Sequence, residues 1–243
     1  TTDDPADDLT HHARIASQDL FPDTAVYPAF RPDKAYNVSD PDTWNAYRQK
    51  LAESSSLSCD TLEQFLAALK QRHDTFHDAG GRLSDHGLTH LPTADCSHAQ
   101  AQTIFNRLKD GQTIDQTDTD RFVIYMMLHL ASLDADRGWT RQLHLGAMRT
   151  LGPDTGIDSI GDYPQGEGLS WYLGTLADRN TLPKTILYNL NPADNYLFAS
   201  MAGNFQGGTP GKIQFGSGWW FLDQEEAIRW QLNALSNIGL LSR

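Results

Sequence analysis

Apolar residues recur along this chain with two spacings, one typical of helices and one typical of strands. The predicted helices begin near residues 40, 60, 97, 118, 194 and 223. The predicted strands cover residues 24–30, 81–86, 140–147, 184–190 and 211–217. Strands that alternate with helices favour a parallel sheet whose strands are joined by crossover helices. The pattern therefore predicts an α/β protein.

Capping residues support several of these boundaries. Two pairs have the spacing of a capping box, Asp60 with Glu63 and Asp223 with Glu226. Asp4 followed by Pro5 is typical of a helix N-terminus, so we expect a strand-to-helix junction at the very start of the chain. Such an abrupt start predicts that the chain is an internal segment of a larger protein.

Polar and glycine residues concentrate where the predicted strands end. These strand-end segments are residues 31–34, 84–86, 144–149, 189–192 and 216–220. In a (β/α)8 barrel the chemistry lies at the carboxyl ends of the strands. The competing architecture is a doubly wound open sheet that binds a nucleotide, and it is disfavoured because no GxGxxG or Walker pattern follows any strand. We therefore predict a TIM-like (β/α)8 barrel.

Charge and composition narrow the function classes. The 243 residues carry a formal net charge of −12, which disfavours nucleic acid and anionic membranes as partners. The longest apolar stretch, residues 122–133, is interrupted by polar residues and is shorter than the ~20 residues of a membrane span. Two cysteines do not form a disulfide framework. We expect a cytoplasmic protein that acts on a small molecule.

Arg31 and Lys34 follow the first predicted strand and flank Asp33. A guanidinium can hold a carboxylate through two parallel hydrogen bonds, so this segment fits an anion clamp. A salt-bridged loop beside a helix start fits the same residues, and the pattern alone leaves both interpretations open.

His144 lies inside a predicted strand between Leu143 and Leu145. Because side chains alternate along a strand, His144 points away from both leucines. If the leucines face the helices, His144 faces the barrel interior, where it suits a metal ligand or an acid–base group. A hydrogen-bonded core histidine is the alternative, and the residues alone favour it.

Two histidine pairs have the spacing of one helical turn, His73 with His77 and His86 with His90. Neither pair has the glutamate of a zinc-binding HExxH motif. We expect His73 and His77 to be solvated at the end of an amphipathic helix. His86 differs, because it follows a predicted strand.

Residues 216–220, GSGWW, form the most distinctive local string. Two glycines allow the backbone to turn sharply or to approach a ligand closely. Consecutive tryptophans cannot both pack into a core on one face, so Trp219 or Trp220 is expected to border a cavity, where it suits stacking against a sugar ring. A tight turn with a hydrophobic plug is the alternative.

Strings spread over nearly the whole chain resemble the uronate isomerase (glucuronate isomerase) family of the amidohydrolase superfamily. Among them are TTDDP (1–5), RPDKAYN (31–37), HLGAMR (144–149), PKTILYNLNPADN (183–195) and PGKIQFGSGWWF (210–221). The resemblance implies a distorted (β/α)8 barrel. It also implies the interconversion of hexuronates, D-glucuronate with D-fructuronate and D-galacturonate with D-tagaturonate, by proton transfer between C1 and C2.

The same resemblance implies a divalent metal, often zinc, whose main ligands belong to barrel strands 1 and 8. Residues 1–243 match about strands 2–7, so they are expected to form one partial barrel domain, with His144 as the candidate metal ligand within it. The loop after Arg149 is shorter than in the family, either through a real deletion or through residues missing from the sequence. Whether the protein forms a homo-oligomer is left open.

Site roles follow from the resemblance. Arg31 and His86 are predicted catalytic residues, and substrate binding is assigned to Arg31, Arg149, Trp219 and Trp220. Replacing Arg31 with Ala is expected to abolish most turnover with the fold intact. Two alternatives remain, a degenerate barrel that binds sugar acids without catalysis and a metal-dependent hydrolase of the same superfamily.

Overall fold

A computed structural model describes residues 1–18, 23–149, 158–217, 219 and 222–238. Contacts divide the chain into two compact units. Unit 1 consists of Thr1–Asp85 and Ala94–Leu133, and unit 2 of His86–Thr93 and Asp134–Arg243. Two elements run from one unit into the other, the strand β3 (Leu83–Leu88) and the helix α6 (Gln116–Arg137).

Unit 1 contains short parallel strands followed by helices. Its other elements are β1 (Thr2–Asp3), α1 (Thr10–Gln18), β2 (Ala29–Phe30), α2 (Asp33–Tyr36), α3 (Pro41–Ser55), α4 (Leu62–Asp78) and α5 (His98–Lys109). Strand β1 pairs with β2 through Thr2 and Ala29, and β2 pairs with β3 through Phe30 and Ser84. Of the strand predicted at residues 24–30, only the last two residues form a strand.

An aromatic core holds the helices of unit 1 together. The Trp44 ring of α3 lies 5.6 Å from Phe65 of α4, 5.3 Å from Phe105 of α5 and 6.2 Å from Phe122 of α6, measured between ring centroids. Its indole Nε1 donates to the carbonyl of Ala35 at 3.0 Å. These rings are fully buried, so the helical spacing of apolar residues correctly identified the packed faces.

Several predicted caps are wrong by a few residues. Helix α4 is capped by Thr61 and Gln64, which form the capping box one position after the predicted pair. Helix α9 (Glu225–Asn237) has no side-chain cap, because Asp223 accepts a hydrogen bond from Ser217 instead. Asp4 accepts from the Ala6 backbone in a turn, and the first helix begins only at Thr10.

Unit 2 contains a regular parallel sheet. Its other elements are β4 (Thr140–Leu145), β5 (Ala147–Met148), β6 (Ser159–Ile160), α7 (Gly166–Asp178), β7 (Lys184–Asn189), α8 (Asn195–Asn204), β8 (Ile213–Gly216) and α9, with a 3-10 turn at Pro192–Asp194 before α8. Strand β4 pairs with β7 along its whole length, and β7 pairs with β8. The parallel strands and the helices between them confirm the predicted α/β class.

One face of β4 is buried and polar at its start. Arg141, Leu143 and Leu145 have almost no exposed surface. Arg141 donates to Asp134 at 2.7 Å, and both side chains are fully buried. The carboxylate compensates the positive charge that Arg141 brings into the interior. Burial raises the pKa of the neighbouring Tyr172 to about 12, against the opposing effect of Arg141.

The glycine-rich composition of residues 152–168 is typical of a long functional loop, but the described part of that stretch contains secondary structure. Strands β5 and β6 pair antiparallel, and helix α7 begins at Gly166. Gly168 lets α7 approach the chain after β3, because a Cβ there would lie 1.7 Å from the Leu91 carbonyl oxygen. Among the described helices, none has the length and apolar character needed to cross a membrane.

Candidate functional site

The second face of β4 carries the polar side chains Thr140, Gln142 and His144, and the last two are close to the site. Exposure alternates strictly along the strand, so both point away from Leu143 and Leu145. This confirms the predicted orientation of His144. Strand β7 runs beside it in register, with His144 opposite Tyr188 and Leu145 opposite Asn189.

Aromatic rings enclose the imidazole of His144. The Tyr188 ring stacks on it with centroids 4.5 Å apart and planes inclined by 27°. Trp219, which follows β8, approaches edge-on at 5.6 Å. Gln142 Nε2 donates to the Tyr188 hydroxyl at 2.9 Å. Since both Gln142 and Tyr188 belong to paired strands, His144 is held by the sheet rather than by a loop.

Gly216 makes room for this arrangement. It pairs with Tyr188 across the β7–β8 ladder, and a Cβ at position 216 would lie 2.8 Å from Tyr188 Cε1. Real Cβ atoms do not approach so closely, so a side chain there would displace the tyrosine ring. The first glycine of the GSGWW string thus serves the packing of a neighbouring strand.

Arg149 lies over the face of Trp219. Its guanidinium carbon is 4.7 Å from the ring centroid, within the range of a cation–π contact. Arg149 Nη1 donates to Asp158 Oδ2 at 2.8 Å. His144, Arg149 and Trp219, three of the predicted site residues, therefore meet in unit 2.

Asp158 is a site residue that the sequence pattern did not single out. The β5–β6 ladder pairs Ala147 with Ile160 and Met148 with Ser159, and extending this register by one residue would place Arg149 opposite Asp158. A hairpin prediction over residues 147–160 would have paired them. The glycine-rich pattern of that stretch predicted a loop instead, and a loop prediction does not say which residues lie opposite each other.

In unit 1, Arg31 lies between two carboxylates. Its Nε donates to Asp33 at 2.9 Å and its Nη1 to Asp85 at 2.8 Å. Burial opposes the charge of Arg31, but the two carboxylates outweigh it and raise the pKa of the guanidinium. Burial also raises the pKa of Asp33, whose carboxylate accepts from the Tyr36 hydroxyl. Charges of +1 and twice −1 give these three residues a net charge of −1.

The remaining predicted histidines differ in their surroundings. His86 lies on β3 with no exposed surface, and alternation places it on the face opposite Asp85. His73 was expected to be solvated, and this is wrong: it is 1% exposed and packs edge-on against Phe30 at 5.2 Å. A catalytic role for His86 stays a prediction. Trp220 lies outside the described residues.

The described residues do not on their own form a metal site. Nowhere in the described part of the chain do three histidine, cysteine or carboxylate side chains come together around a common point. His144 contributes a single imidazole, whereas a catalytic zinc site has about three protein ligands. The described residues therefore supply at most one ligand of such a site.

Asparagines order the chain after β7, where the NLNPADN string falls. Asn189 is buried and its Nδ2 donates to the Asn191 carbonyl at 2.7 Å and to Asn195 Oδ1 at 3.0 Å. Asn191 in turn caps the 3-10 turn by accepting from the Ala193 backbone. These bonds fix the start of α8 against the end of the strand, beside the strand that carries His144.

Parallel strands joined by helices, with polar residues at their carboxyl ends, are typical of TIM-like α/β barrel proteins. The model of the family described as glucuronate isomerase matches residues 1–243. Uronate isomerase of Opitutus terrae is 55% identical over 252 residues, covering all of this chain and 53% of that protein. The chain belongs to the glucuronate isomerase family.

Two solved structures are also similar to this chain. The crystal structure of uronate isomerase from Thermotoga maritima has a TM-score of 0.88 at 28% identity and covers 99% of this chain and 53% of its own. That of glucuronate isomerase from Caulobacter crescentus has a TM-score of 0.85 at 26% identity, with 99% and 50% covered. The likeness confirms the predicted barrel-type fold.

The chain spans about half the length of the curated relatives it matches. The match with the Opitutus protein also runs over nine more positions than the chain has, 252 against 243. The shortened loop predicted after Arg149 is consistent with this difference. It falls within residues 150–157, outside the described residues.

Proposed function

We propose that the protein to which this chain belongs interconverts a hexuronate aldose and its ketose, D-glucuronate with D-fructuronate or D-galacturonate with D-tagaturonate. The observation that carries the proposal is the family match over the whole chain, joined to a cationic and aromatic cluster of His144, Arg149 and Trp219 at the strand ends. The names of the relatives support the substrate class.

The reaction moves a proton between C2 and C1 through an enediol. It requires a base, a group that stabilises the negative charge developing on oxygen, and contacts that hold the sugar acid in place. We assign the sugar-ring contact to Trp219, with Trp220 beside it in sequence, because an indole face suits a sugar ring. Arg31 and Arg149 are the cationic candidates, and His86 stays a proposed acid–base group.

A divalent metal, for which zinc is a suitable choice, is part of the proposal. His144 is the candidate among the described residues, either as one ligand or as a neighbour that holds a ligand in place. Its stacking on Tyr188 fixes the ring plane, which a ligand requires. The remaining ligands are proposed to lie in the other half of the family's length.

We also propose a cytoplasmic location and small-molecule partners. Cys59 and Cys96 are free, and burial raises the pKa of both thiols to about 11, so neither is a reactive thiolate. Free thiols of this kind suit a reducing compartment. A homo-oligomer is compatible with the proposal and can be measured by light scattering.

The test is a coupled isomerase assay on the full-length protein with D-glucuronate and D-galacturonate, together with metal analysis of the same sample. Turnover of either uronate supports the proposal. Tight binding of uronates without turnover would establish a non-catalytic sugar-acid binder instead. Hydrolysis of amide or ester substrates without isomerisation would establish a hydrolase.

A further inference from the structure

The two candidate arginines differ in how much positive charge they offer. Arg31 is shared by Asp33 and Asp85, and that cluster carries a net charge of −1. Arg149 has one carboxylate partner among the described residues, Asp158, so the pair is neutral. In a chain with a net charge of −12, an anionic substrate is repelled least where carboxylates do not outnumber the cation.

The geometry of Arg149 leaves part of its guanidinium available. Asp158 accepts a hydrogen bond from Nη1, and the guanidinium carbon lies over the Trp219 ring. The arginine side chain keeps 46% of its surface exposed, whereas that of Asp158 keeps only 16%. The carboxylate is therefore the more enclosed partner, and almost half of the arginine side chain stays open to solvent.

These contacts fix the guanidinium from two directions. The Trp219 ring contacts the guanidinium from one side, and Asp158 holds Nη1. Asp158 directly precedes β6, and extending the β5–β6 register would place it opposite Arg149. A guanidinium oriented in advance loses less conformational entropy when it binds an oxyanion.

We propose that Arg149 recognises an anionic oxygen of the sugar acid, and that Asp158 is the positioning residue that orients it over Trp219. This inference rests on the proposed isomerase function and deepens it. The anionic oxygen has two possible sources with the same chemistry, the carboxylate of the substrate and the enediolate that forms during the reaction. Kinetics separate them, because the carboxylate is present before the reaction and the enediolate is not.

The experiment compares Asp158→Asn, Asp158→Glu and Arg149→Lys in the full-length protein. Asp158→Asn is expected to lower kcat/KM about tenfold, because a charge-assisted hydrogen bond to the guanidinium is lost. Asp158→Glu keeps the charge and is expected to restore part of that loss. Arg149→Lys is expected to lose at least as much as Asp158→Asn, since an ammonium cannot lie flat on the indole and bind through two parallel donors.

The split between KM and kcat identifies the oxygen. A raised KM with kcat unchanged assigns Arg149 to the substrate carboxylate, and inhibition by an aldonate then weakens while inhibition by the uncharged alditol does not. A lowered kcat with KM unchanged assigns it to the enediolate, and aldonate inhibition then stays as in the wild type. Both results support the proposal.

Glu225→Gln is the matched control. It removes an exposed carboxylate that pairs with Arg229 at 2.5 Å on α9, and its kinetics should equal those of the wild type. The proposal is overturned if Asp158→Asn behaves like this control, if Asp158→Glu is no better than Asp158→Asn, or if aldonate and alditol inhibition weaken equally. Absence of wild-type turnover would refute the proposed function itself, a different result from normal turnover with an unaffected Asp158→Asn.

Discussion

The residue at position 216 has to be glycine because a side chain of the neighbouring strand occupies the space of a Cβ. Gly216 faces Tyr188 at a distance that no Cβ tolerates, and Tyr188 stacks on His144. The glycine therefore leaves room for the tyrosine ring, and that ring in turn packs on the imidazole. Two other single residues, a buried histidine and an arginine held by two carboxylates, carry predictions at this scale.

We expect the buried His129 on α6 to make the stability of the protein sensitive to acid. Its Nε2 is buried without a hydrogen-bond partner among the described residues, and burial lowers its pKa from 6.5 to about 4. Between about pH 6.5 and pH 4, His129 is therefore protonated in the unfolded chain and neutral in the folded state. Stability from this group is intact above pH 6.5 and falls by up to about 3 kcal/mol as the pH drops to 4.

His129→Leu is expected to remove this part of the pH dependence. Urea unfolding between pH 7 and pH 4 measures it, with the exposed His11→Gln as the control that keeps the wild-type profile. An unchanged pH profile in His129→Leu would show that the histidine is hydrated in solution.

Arg31 is expected to matter for stability as well as for turnover. Arg31→Gln leaves Asp85, whose side chain is 6% exposed, and Asp33 without their shared cation. Breaking a buried ion pair from one side costs about 3 kcal/mol. We therefore expect Arg31→Ala to be less stable than the wild type as well, so turnover should be compared at equal folded fractions.

Chemical denaturation of Arg31→Gln at neutral pH measures this loss. The neighbouring Lys34→Gln is the control, since Lys34 is 63% exposed and its pairing with Asp4 should contribute less than about 1 kcal/mol. The loss in Arg31→Gln should shrink as the pH falls, because burial raises the pKa of Asp33 and a protonated Asp33 no longer needs the cation. Equal stability of the two variants would mean that Arg31 is not needed to compensate Asp33 and Asp85.

At the scale of elements, long periodic segments were predicted well and short ones were not. Helices α3, α5 and α6 and strands β4 and β7 lie within a residue or two of the predicted positions. The two-residue strands β5 and β6 and helix α7 were missed. A long helix carries its own periodic pattern, whereas a two-residue strand exists only because another segment pairs with it.

Helix α7 offers a prediction with an internal control. A methyl group at Gly168 would clash with the Leu91 carbonyl, which is backbone and cannot move aside, so Gly168→Ala is expected to destabilise the fold by about 3 kcal/mol. Gly174 lies in the same helix, and a methyl group there would have no neighbouring atom within 4 Å, so Gly174→Ala should stabilise by about 0.5–1 kcal/mol. Thermal unfolding of both variants is the measurement, and shifts of the same sign would contradict the assignment.

At the scale of the whole molecule, this chain supplies one candidate metal ligand among its described residues and about half the length of its relatives. We expect chelation to abolish turnover of the full-length protein and zinc to restore it, because the other ligands are proposed to lie outside the described residues. His144→Ala should lower the bound metal content or weaken its retention, measured by metal analysis. Turnover that survives complete metal removal would overturn the metal proposal.

The sequence by itself determined the α/β class, the family, the long elements and the orientation of His144, because these depend on periodic patterns and on distinctive strings. Only the tertiary structure decided which residues meet. It paired Asp158 with Arg149, assigned Asp85 to Arg31, and buried His73. Such contacts join residues brought together by strand register and helix packing, and no local pattern along the chain records that register.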